Sequence, residues 1–388
     1  MKKRKDVYLD YAAGCPVDPR VIETMRLYQG EGFGNSMSIH SWGRQASEAI
    51  EKSRKKIAGF IGAKPDEIIF TASATESNNL ALKGWMRSRP DKKHIIVSAI
   101  EHKCVLETAR YLEGQDYEVT YLRVDSEGLV DVEQLKREIR EDTLLVSVMH
   151  VNNEVGVIEE VDQIGRICRT KGVMFHCDAA QSFTKLKIDV EKMKIDLLTL
   201  SSHKIYGPKG AGVLYVRRGL EKGLEPLLHG GGQERGLRSS TMNTATVVGM
   251  ARAAEIGIGE MVAEGKRLRR LKEKFVEKVL AGILGVVVNG SREKNVANSV
   301  NMSFDKVEGE AILLSLDAEG IKVSTGSACS SDDLKPSYVL RAMGYPVARA
   351  HGSIRFSWGR RTSEADLDYV VEVLIGVIKK LRRLSPIK

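Results

Sequence analysis

The sequence predicts an α/β fold with a mostly parallel, seven-stranded sheet and a smaller α+β domain at the C-terminal end. Short apolar segments alternate with helical stretches between about residues 66 and 217, which is typical of strands joined by crossover helices. After about residue 258 this alternation gives way to helices and isolated strands. The length of 388 residues also favours two domains. We therefore expect a large domain over residues 14–257 and a small domain over residues 258–388, joined by residues 1–13.

The elements of the large domain follow from this alternation. An amphipathic helix is predicted first, over residues 44–61. The strand candidates are short apolar runs, at residues 68–70, 94–98, 119–122, 144–149, 173–177, 197–200 and 212–216. The crossover helices are predicted between them, at residues 76–87, 105–112, 132–140 and 164–171.

The C-terminal part has fewer strand candidates. Two consecutive helices are predicted over residues 244–264 and 266–280, and strands over residues 298–304 and 353–357. A last helix runs from about residue 363 to 383, and the spacing of Ser363 and Asp366 at its start is a variant of the capping box.

Composition excludes several classes of protein. With 42% hydrophobic and 29% charged residues, the chain has the composition of a globular protein, and no apolar run approaches the ~18 residues of a membrane span. The basic N-terminus is not followed by the apolar segment of a signal peptide. The net charge of +9 is spread without an aromatic-interleaved basic stripe, so we expect solvated faces and no direct nucleic-acid binding. Five cysteines without disulfide or metal spacing suggest reduced thiols and a cytoplasmic location.

Lys204 is the most informative residue for chemistry, since it follows an apolar segment and precedes a glycine-rich turn. Lysine is rarely buried unpaired, and a desolvated, neutral amine can form a Schiff base with a carbonyl compound. Pyridoxal phosphate is the commonest cofactor held in this way, usually with an acidic partner. Asp178 ends a neighbouring strand candidate, and ligands of open α/β sheets bind at such ends. A solvated lysine and an incidental loop aspartate are the alternative.

Other polar residues follow the strand candidates. Thr75 lies where a strand joins a helix, and small hydroxylated residues there could hold a phosphate or simply cap the helix. His102 could stack on a flat cofactor or carry protons, or be an ordinary surface or core histidine. Asn152 and Asn153 could orient a carboxylate or a ring oxygen, or form a turn.

Three further features lie outside the set of polar residues that follow the strand candidates. Arg355 stands inside an apolar strand, where its planar fork suits a substrate carboxylate or a structural salt bridge. The glycine- and arginine-rich residues 229–241 could reach an anion in this subunit or in a neighbour. Cys329 stands in a small, polar segment where an exposed thiol could act as a nucleophile, or be incidental. Asp332 and Asp333 would oppose formation of its thiolate.

Together these segments closely resemble the cysteine desulfurases of the IscS/NifS group, in the class-V aminotransferase family. Those proteins are pyridoxal-phosphate enzymes of the aspartate-aminotransferase fold, fold type I. The resemblance runs almost from end to end and is carried by Tyr8-Leu9-Asp10-Tyr11, Ala74-Thr75-Glu76-Ser77-Asn78-Asn79, Glu101-His102-Lys103, His150-Val151-Asn152-Asn153-Glu154, Asp178-Ala179-Ala180-Gln181, Ser202-His203-Lys204-Ile205-Tyr206-Gly207-Pro208-Lys209-Gly210 and Gly326-Ser327-Ala328-Cys329.

The resemblance implies a role for each residue around the cofactor. Lys204 would bind pyridoxal phosphate covalently and later move protons. Asp178 would pair with the pyridine nitrogen, Gln181 would contact the ring hydroxyl, and His102 would stack on the ring.

The resemblance also implies how the phosphate is held. It would be bound by Thr75, Ser201 and His203, joined by Thr241 from the other subunit of a homodimer.

For the substrate, the resemblance implies that Arg355 and Asn153 bind the carboxylate of L-cysteine. Cys329 would take the sulfur as a persulfide while L-alanine is released. The sulfur would then supply iron–sulfur cluster assembly or tRNA thiolation through a scaffold protein or another acceptor. The alternatives are a selenocysteine lyase-like enzyme and a cluster-assembly scaffold in which Cys329 is an iron–sulfur ligand; no other metal site is expected.

Two cysteines depart from the pattern of these enzymes. Cys15 replaces a small or hydroxylated residue, so a second thiol is expected close to the site. Cys104 stands where a small residue is commoner.

Overall fold

The computed structural model describes residues 5–89, 91–325 and 336–384. The strands in chain order are β1 (Val7–Tyr8), β2 (Ile68–Thr71), β3 (His94–Ser98), β4 (Glu118–Leu122), β5 (Thr143–Ser147), β6 (Met174–Asp178), β7 (Leu197–Ser201), β8 (Gly212–Val216), β9 (Val286–Asn289), β10 (Ser299–Phe304), β11 (Ile321–Lys322) and β12 (Ser353–Ser357). The α-helices are α1 (Pro19–Gln29), α2 (Ser41–Phe60), α3 (Ala74–Asn79), α4 (Trp85–Arg87), α5 (Lys103–Glu113), α6 (Val132–Glu138), α7 (Val161–Lys171), α8 (Thr244–Gly282), α9 (Gly309–Ala318), α10 (Tyr338–Ala342), α11 (Val347–His351) and α12 (Glu364–Leu384).

A large sheet organises the first two thirds of the chain. In the described residues it has seven strands in the order β2-β8-β7-β6-β5-β3-β4. The pairs from β4 to β7 are parallel, and β8 runs antiparallel to both of its neighbours. The predicted mostly parallel, seven-stranded sheet is therefore confirmed. Its central strands are buried along their whole length, because crossover helices cover the faces of a parallel sheet.

A smaller unit is built from the remaining strands. β12, β10 and β9 form an antiparallel sheet, while β1 pairs with β11 in parallel. Helices α8, α9 and α12 contribute to the hydrophobic core of this unit. Ser363 and Asp366 bond reciprocally at the start of α12, through Ser363 N–H to Asp366 Oδ2 at 2.8 Å and Asp366 N–H to Ser363 Oγ at 3.2 Å. The predicted capping box is thus present.

The prediction of two consecutive helices at residues 244–264 and 266–280 is wrong, because α8 is one helix of 39 residues. A single interior glycine such as Gly265 costs only about 1 kcal/mol relative to alanine, which packing on both sides offsets. The N-terminal half of α8, at Ala245 for example, packs into the core of the large sheet. The C-terminal half, at Phe275 for example, packs into the second core. The division into domains at residues 257 and 258 stays a prediction.

The helix predicted over residues 76–87 is also interrupted. The structure has α3, a wider helical turn over Leu80–Gly84, and then α4. At Gly84 a Cβ atom would lie 2.5 Å from the carbonyl oxygen of Glu225, so the backbones approach closely there. Among the described residues, no helix combines the length and apolar character needed to cross a membrane.

A buried ion pair fastens the glycine- and arginine-rich loop to the large sheet. The guanidinium of Arg54 on α2 donates to both carboxylate oxygens of Glu234, at 2.8 and 2.7 Å. The backbone N–H of Phe70 donates to the same carboxylate at 2.7 Å. The side chains of Arg54 and Glu234 are 5% and 2% exposed, so little water is present to replace either partner.

We predict that Arg54→Ala destabilises the protein by about 3–5 kcal/mol, because it leaves the Glu234 carboxylate buried without its cation. The measurement is the midpoint of urea unfolding. Arg166→Ala is the matched control, since Arg166 pairs with Asp162 on an exposed helix face. Equal midpoints for Arg54→Ala and Arg166→Ala would contradict the role given to the buried pair.

Candidate active site

The carboxyl ends of the parallel strands bring the predicted site residues to one edge of the large sheet. Asp178 is the last residue of β6, and Lys204 lies three positions beyond the end of β7. His102 is the N-cap of α5, shortly after β3, and Asn153 follows β5. Asp178 and Lys204 are both close enough to His102 to influence its pKa. The sheet thus gathers residues that are far apart in sequence.

Asp178 is held by two donors. The side-chain amide of Asn78 on α3 donates to Asp178 Oδ2 at 2.8 Å, and the backbone N–H of Ala180 donates to Oδ1 at 2.9 Å. Asp178 and Asn78 are both buried. Hydrogen bonds of this kind orient a carboxylate before any ligand binds. Sequence reasoning assigned no role to Asn78, although it lies in the motif around Thr75.

The amine of Lys204 is directed at the N-terminal segment that follows β1. Its Nζ donates to the carbonyl oxygens of Ala12 at 2.6 Å and Ala13 at 2.9 Å. The side-chain amide of Gln181 donates to the same Ala12 oxygen at 2.9 Å. Lys204 and Gln181, predicted from different strand ends, therefore meet at one carbonyl group.

His102 is half-buried and accepts at Nδ1 from the backbone N–H of Cys104 at 3.2 Å. Burial lowers the pKa of the imidazole, and the charges of Lys204 and Lys103 act in the same direction. Asp178 acts in the opposite direction but does not reverse the shift. His102 is therefore a neutral imidazole at pH 7.

The residues predicted to hold a phosphate lie in an electropositive setting. Ser201 Oγ and His203 Nδ1 are 3.0 Å apart. Burial, and after it the charges of neighbouring groups with Lys204 first, lower the pKa of His203 to about 4. Thr75 is exposed, and the α3 N-cap is Ser73, whose Oγ accepts from Glu76 N–H at 3.1 Å. The alternative that Thr75 is the N-cap is therefore wrong.

Arg355 is buried in β12 and has two partners. Its guanidinium donates to Asp10 Oδ1 at 2.7 Å and to the backbone carbonyl of Asn153 at 2.8 Å. The Nε atom of Arg355 and the Oδ1 atom of Asn153 are buried and have no hydrogen-bond partner among the described residues. Because Arg355 contacts the Asn153 backbone, this donor and this acceptor, both without partners among the described residues, belong to residues in contact and suit a ligand that carries a carboxylate and an amine. Asp10 lies in a motif of the resemblance, but sequence reasoning gave it no role.

Cys329 lies outside the described residues, together with Asp332 and Asp333. The described residues on either side are attached to the site. Ser324 pairs with Arg355, through Arg355 N–H to the Ser324 carbonyl at 2.7 Å.

On the other side of residues 326–335, Ser337 Oγ donates to Glu154 Oε2 and the Tyr338 hydroxyl donates to the Glu101 carbonyl, both at 2.6 Å. Glu154 adjoins Asn153, and Glu101 adjoins His102. The described residues on both sides of 326–335 therefore contact residues of the predicted site or their immediate neighbours.

Thr241 is exposed in the loop that follows Glu234. The structure of one chain places no second-subunit residue, so its predicted role across a dimer stays a prediction.

Cys15 also lies beside Lys204. Its thiol donates to the carbonyl oxygens of Tyr11 and Lys204, at 3.5 Å each. It lines a cavity of about 640 Å³ together with Lys185, Lys204, Tyr206 and others. Burial raises the pKa of this thiol, so Cys15 is a weak nucleophile at neutral pH.

Comparison with known proteins agrees with this geometry. Residues 7–370 match the family model described as aminotransferase class-V. The chain therefore belongs to the class-V aminotransferase family. Enzymes of this family depend on pyridoxal phosphate. The residues present fit that cofactor: they are the buried carboxylate of Asp178, the amine of Lys204, and the hydroxyl and imidazole of Ser201 and His203.

Within that family, the relatives are cysteine desulfurases. The chain is 48% identical to cysteine desulfurase IscS of Dictyoglomus turgidum, over 99% of this chain and 98% of that protein. It is 50% identical to cysteine desulfurase IscS of Tolumonas auensis, over 98% of this chain and 95% of that protein.

Solved structures of similar proteins agree with the assignment to this family. A NifS-like protein with 38% identity superimposes with a TM-score of 0.91, covering 97% of this chain and 100% of that one. The structure of SspA in complex with cysteine, at 40% identity, gives a TM-score of 0.82 and covers 90% and 98% of the two chains.

A buried carboxyl group, that of Glu159, lies six residues after Asn153 in the sequence. Glu159 Oε2 accepts from the backbone N–H of Val130 at 3.2 Å, while Oε1 has no partner among the described residues. Burial raises the pKa of Glu159 to about 8, so the group is protonated in the folded protein at neutral pH.

We predict that Glu159→Gln stabilises the protein at pH 9 by at least about 1 kcal/mol and has little effect at pH 4.5. The folded-state pKa lies above the unfolded value, so the stability that Glu159 contributes is present at low pH and is lost as the pH rises through about 8. Glutamine is neutral at every pH and avoids that loss. Urea midpoints at several pH values measure the difference, and Glu160→Gln, an exposed neighbour, is the control. A difference between Glu159→Gln and wild type that does not grow with pH would contradict the assigned pKa.

Proposed function

We propose that this chain is a cysteine desulfurase, which converts L-cysteine to L-alanine and passes the sulfur to Cys329 as a persulfide. One observation carries the proposal. Arg355, whose Nε has no partner among the described residues, pairs with Asp10, two residues before the Ala12 carbonyl that accepts from Lys204. Beyond residues 326–335, Ser337 bonds to Glu154, next to Asn153. A guanidinium suited to an amino-acid carboxylate is thus connected to Lys204 and to the described residues that flank 326–335, which supports the proposal.

The cofactor would be held by residues from several strand ends. Lys204 would bind it covalently, Asp178 would pair with its pyridine nitrogen, and Gln181 would contact its ring hydroxyl. Ser201, His203 and Thr75 would bind its phosphate. When bound, pyridoxal phosphate supplies an electron sink for negative charge at the substrate carbon atoms.

Substrate binding would rest on Arg355 and Asn153. The Arg355 guanidinium keeps Asp10 and the Asn153 carbonyl as partners, and its remaining N–H groups are available to a carboxylate. Asn153 Oδ1 could accept from the substrate amine, and the Asn153 side-chain N–H groups could donate to the carboxylate. Because both groups are buried, a substrate that lacks the carboxylate would leave them unsatisfied.

Proton movement would fall to Lys204 and His102. Once released from the carbonyl groups of Ala12 and Ala13, the Lys204 amine could take a proton from the substrate Cα and return it to another carbon. Since the imidazole of His102 is neutral, it could accept a proton at its unprotonated nitrogen and then deliver a proton as the imidazolium.

Sulfur transfer would fall to Cys329. Its thiolate would attack the sulfur of the activated substrate, the carbon–sulfur bond would break, and the electron pair of that bond would remain with carbon. Protonation of that carbon completes L-alanine, and the sulfur stays on Cys329 as a persulfide. The thiol form is a poor nucleophile, so deprotonation of Cys329 would limit the rate at low pH.

The site would be completed by a second copy of the chain. Large apolar side chains in the loop between α1 and α2 and at the start of α2 are exposed in the single chain, among them Phe33, Met37, Ile39 and Trp42. A cluster of this kind is typical of a protein interface. The exposed Thr241 would then reach the phosphate of the other subunit.

The persulfide would be passed to an iron–sulfur scaffold protein or another sulfur acceptor in the cytoplasm, where thiols stay reduced. We expect no direct contact with nucleic acid.

We predict that purified protein releases sulfide and alanine in equal amounts from L-cysteine with a thiol reductant, and that Cys329→Ser abolishes both. Lys204→Ala should lower the rate by at least about 10³-fold, because the covalent nucleophile is lost. Lys187→Ala, an exposed lysine outside the site, is the control. Products that persist in Cys329→Ser would assign the nucleophile to another thiol, with Cys15 the first to test.

A second prediction concerns Arg355. Arg355→Gln should raise the KM for L-cysteine by at least tenfold, in line with the loss of a charged hydrogen bond of about 1.5–3 kcal/mol. Retention of the cofactor, followed by its visible absorbance, should be unchanged. An unchanged KM would show that the carboxylate binds elsewhere.

A further inference from the structure

Cys104 lies between two residues that the proposed function places at the cofactor ring. Its Sγ is 3.0 Å from His102 Nδ1 and accepts from the side-chain amide of Asn78 at 3.1 Å. The same amide donates to Asp178 Oδ2 at 2.8 Å. His102 and Asp178 are therefore connected through one thiol and one amide.

The hydrogen atoms in this cluster can be assigned. Burial raises the pKa of the Cys104 thiol to about 12, so the thiol keeps its hydrogen at neutral pH. The Asn78 amide donates to the sulfur, and the Thr75 side chain also lies within hydrogen-bond reach of it, so the S–H can donate to His102 Nδ1 at 3.0 Å. That nitrogen already accepts from the Cys104 backbone N–H at 3.2 Å. A neutral imidazole that accepts a hydrogen bond at Nδ1 carries its proton on Nε2.

We propose that Cys104 is a positioning residue: its thiol holds His102 in the Nε2–H tautomer and couples the imidazole, through Asn78, to Asp178. The inference rests on the proposed function, because it concerns the histidine and the aspartate that would act on the cofactor. As a consequence, Nε2, the His102 nitrogen that makes no hydrogen bond to α5, carries the exchangeable proton.

A purely space-filling role is the alternative, and the state of Asn78 argues against it. Asn78 is fully buried, and its Oδ1 has no partner among the described residues. The orientation of its amide group therefore depends on the two acceptors of Nδ2, Asp178 and Cys104. Without the sulfur, one of those acceptors is lost and nothing replaces it.

The test compares wild type, Cys104→Ala and Cys104→Ser as full-length proteins, with and without pyridoxal phosphate. Protein labelled with ¹⁵N in histidine is titrated by NMR to follow the ring nitrogens and the pKa of His102. The charged and titratable groups that face the ring, Asp178, Lys204, Lys103 and His203, are the same in all three proteins.

In Cys104→Ala the pKa of His102 should rise by about 0.5 to 1 unit, because a donor that favours the neutral ring is lost. The backbone N–H of residue 104 remains as a donor to Nδ1, so the Nε2–H form should stay the major tautomer while the fraction of the Nδ1–H form increases. Cys104→Ser should restore both, since a hydroxyl group donates and accepts at the same position. Cys104→Val, a second apolar replacement, should behave like Cys104→Ala and covers the case in which the alanine variant is unstable.

With cofactor and L-cysteine, kcat should fall about fivefold in Cys104→Ala and recover in Cys104→Ser, as expected for one lost hydrogen bond. Identical pKa values and ring-nitrogen shifts in all the proteins would overturn the inference and leave Cys104 as packing. If the NMR changes occur but no protein forms sulfide, the positioning role stands and the proposed function fails.

Discussion

Parallel pairing of β3, β5, β6 and β7 is the constraint on which the candidate site depends. Parallel strands end at the same edge of their sheet, so residues that follow them meet in space however far apart they are in the sequence. The register pairs Ser147 with His176 and Asp178 with Thr199, which fixes the relative height of the strand ends. Asp178, Lys204 and His102 are therefore neighbours because of main-chain hydrogen bonds.

Burial then decides which polar groups keep a charge. The pKa of Glu154 is raised, and that of Glu159 is raised to about 8, while those of His150 and His176 are lowered to about 4. In each case desolvation is the largest cause, and Glu159, His150 and His176 are neutral near pH 7. The polar groups with specific donors or acceptors, Asp178 with Asn78 and Arg355 with Asp10, remain as the fixed features of the site.

The N-terminal segment links the two cores. β1 pairs with β11 of the smaller unit, while the carbonyl of Ala12, four residues after β1 ends, accepts from both Lys204 and Gln181 of the large sheet. Between them, Asp10 pairs with Arg355. A few residues thus connect Lys204, Gln181 and Arg355, so movement of one core relative to the other would alter the contacts of all three.

The sequence by itself determined the α/β class, all seven strands of the large sheet, and Lys204, Asp178 and His102 as candidates, because strand periodicity and strand-end chemistry are local properties. It could not determine that α8 is continuous, since a lone glycine is compatible with either outcome and only packing against two cores decides. Tertiary structure alone decided that Asn78 binds Asp178, that Asp10 binds Arg355, and that Cys104 lies between His102 and Asn78. Those contacts join segments from different elements, and their distances depend on how the elements pack, which no local pattern encodes.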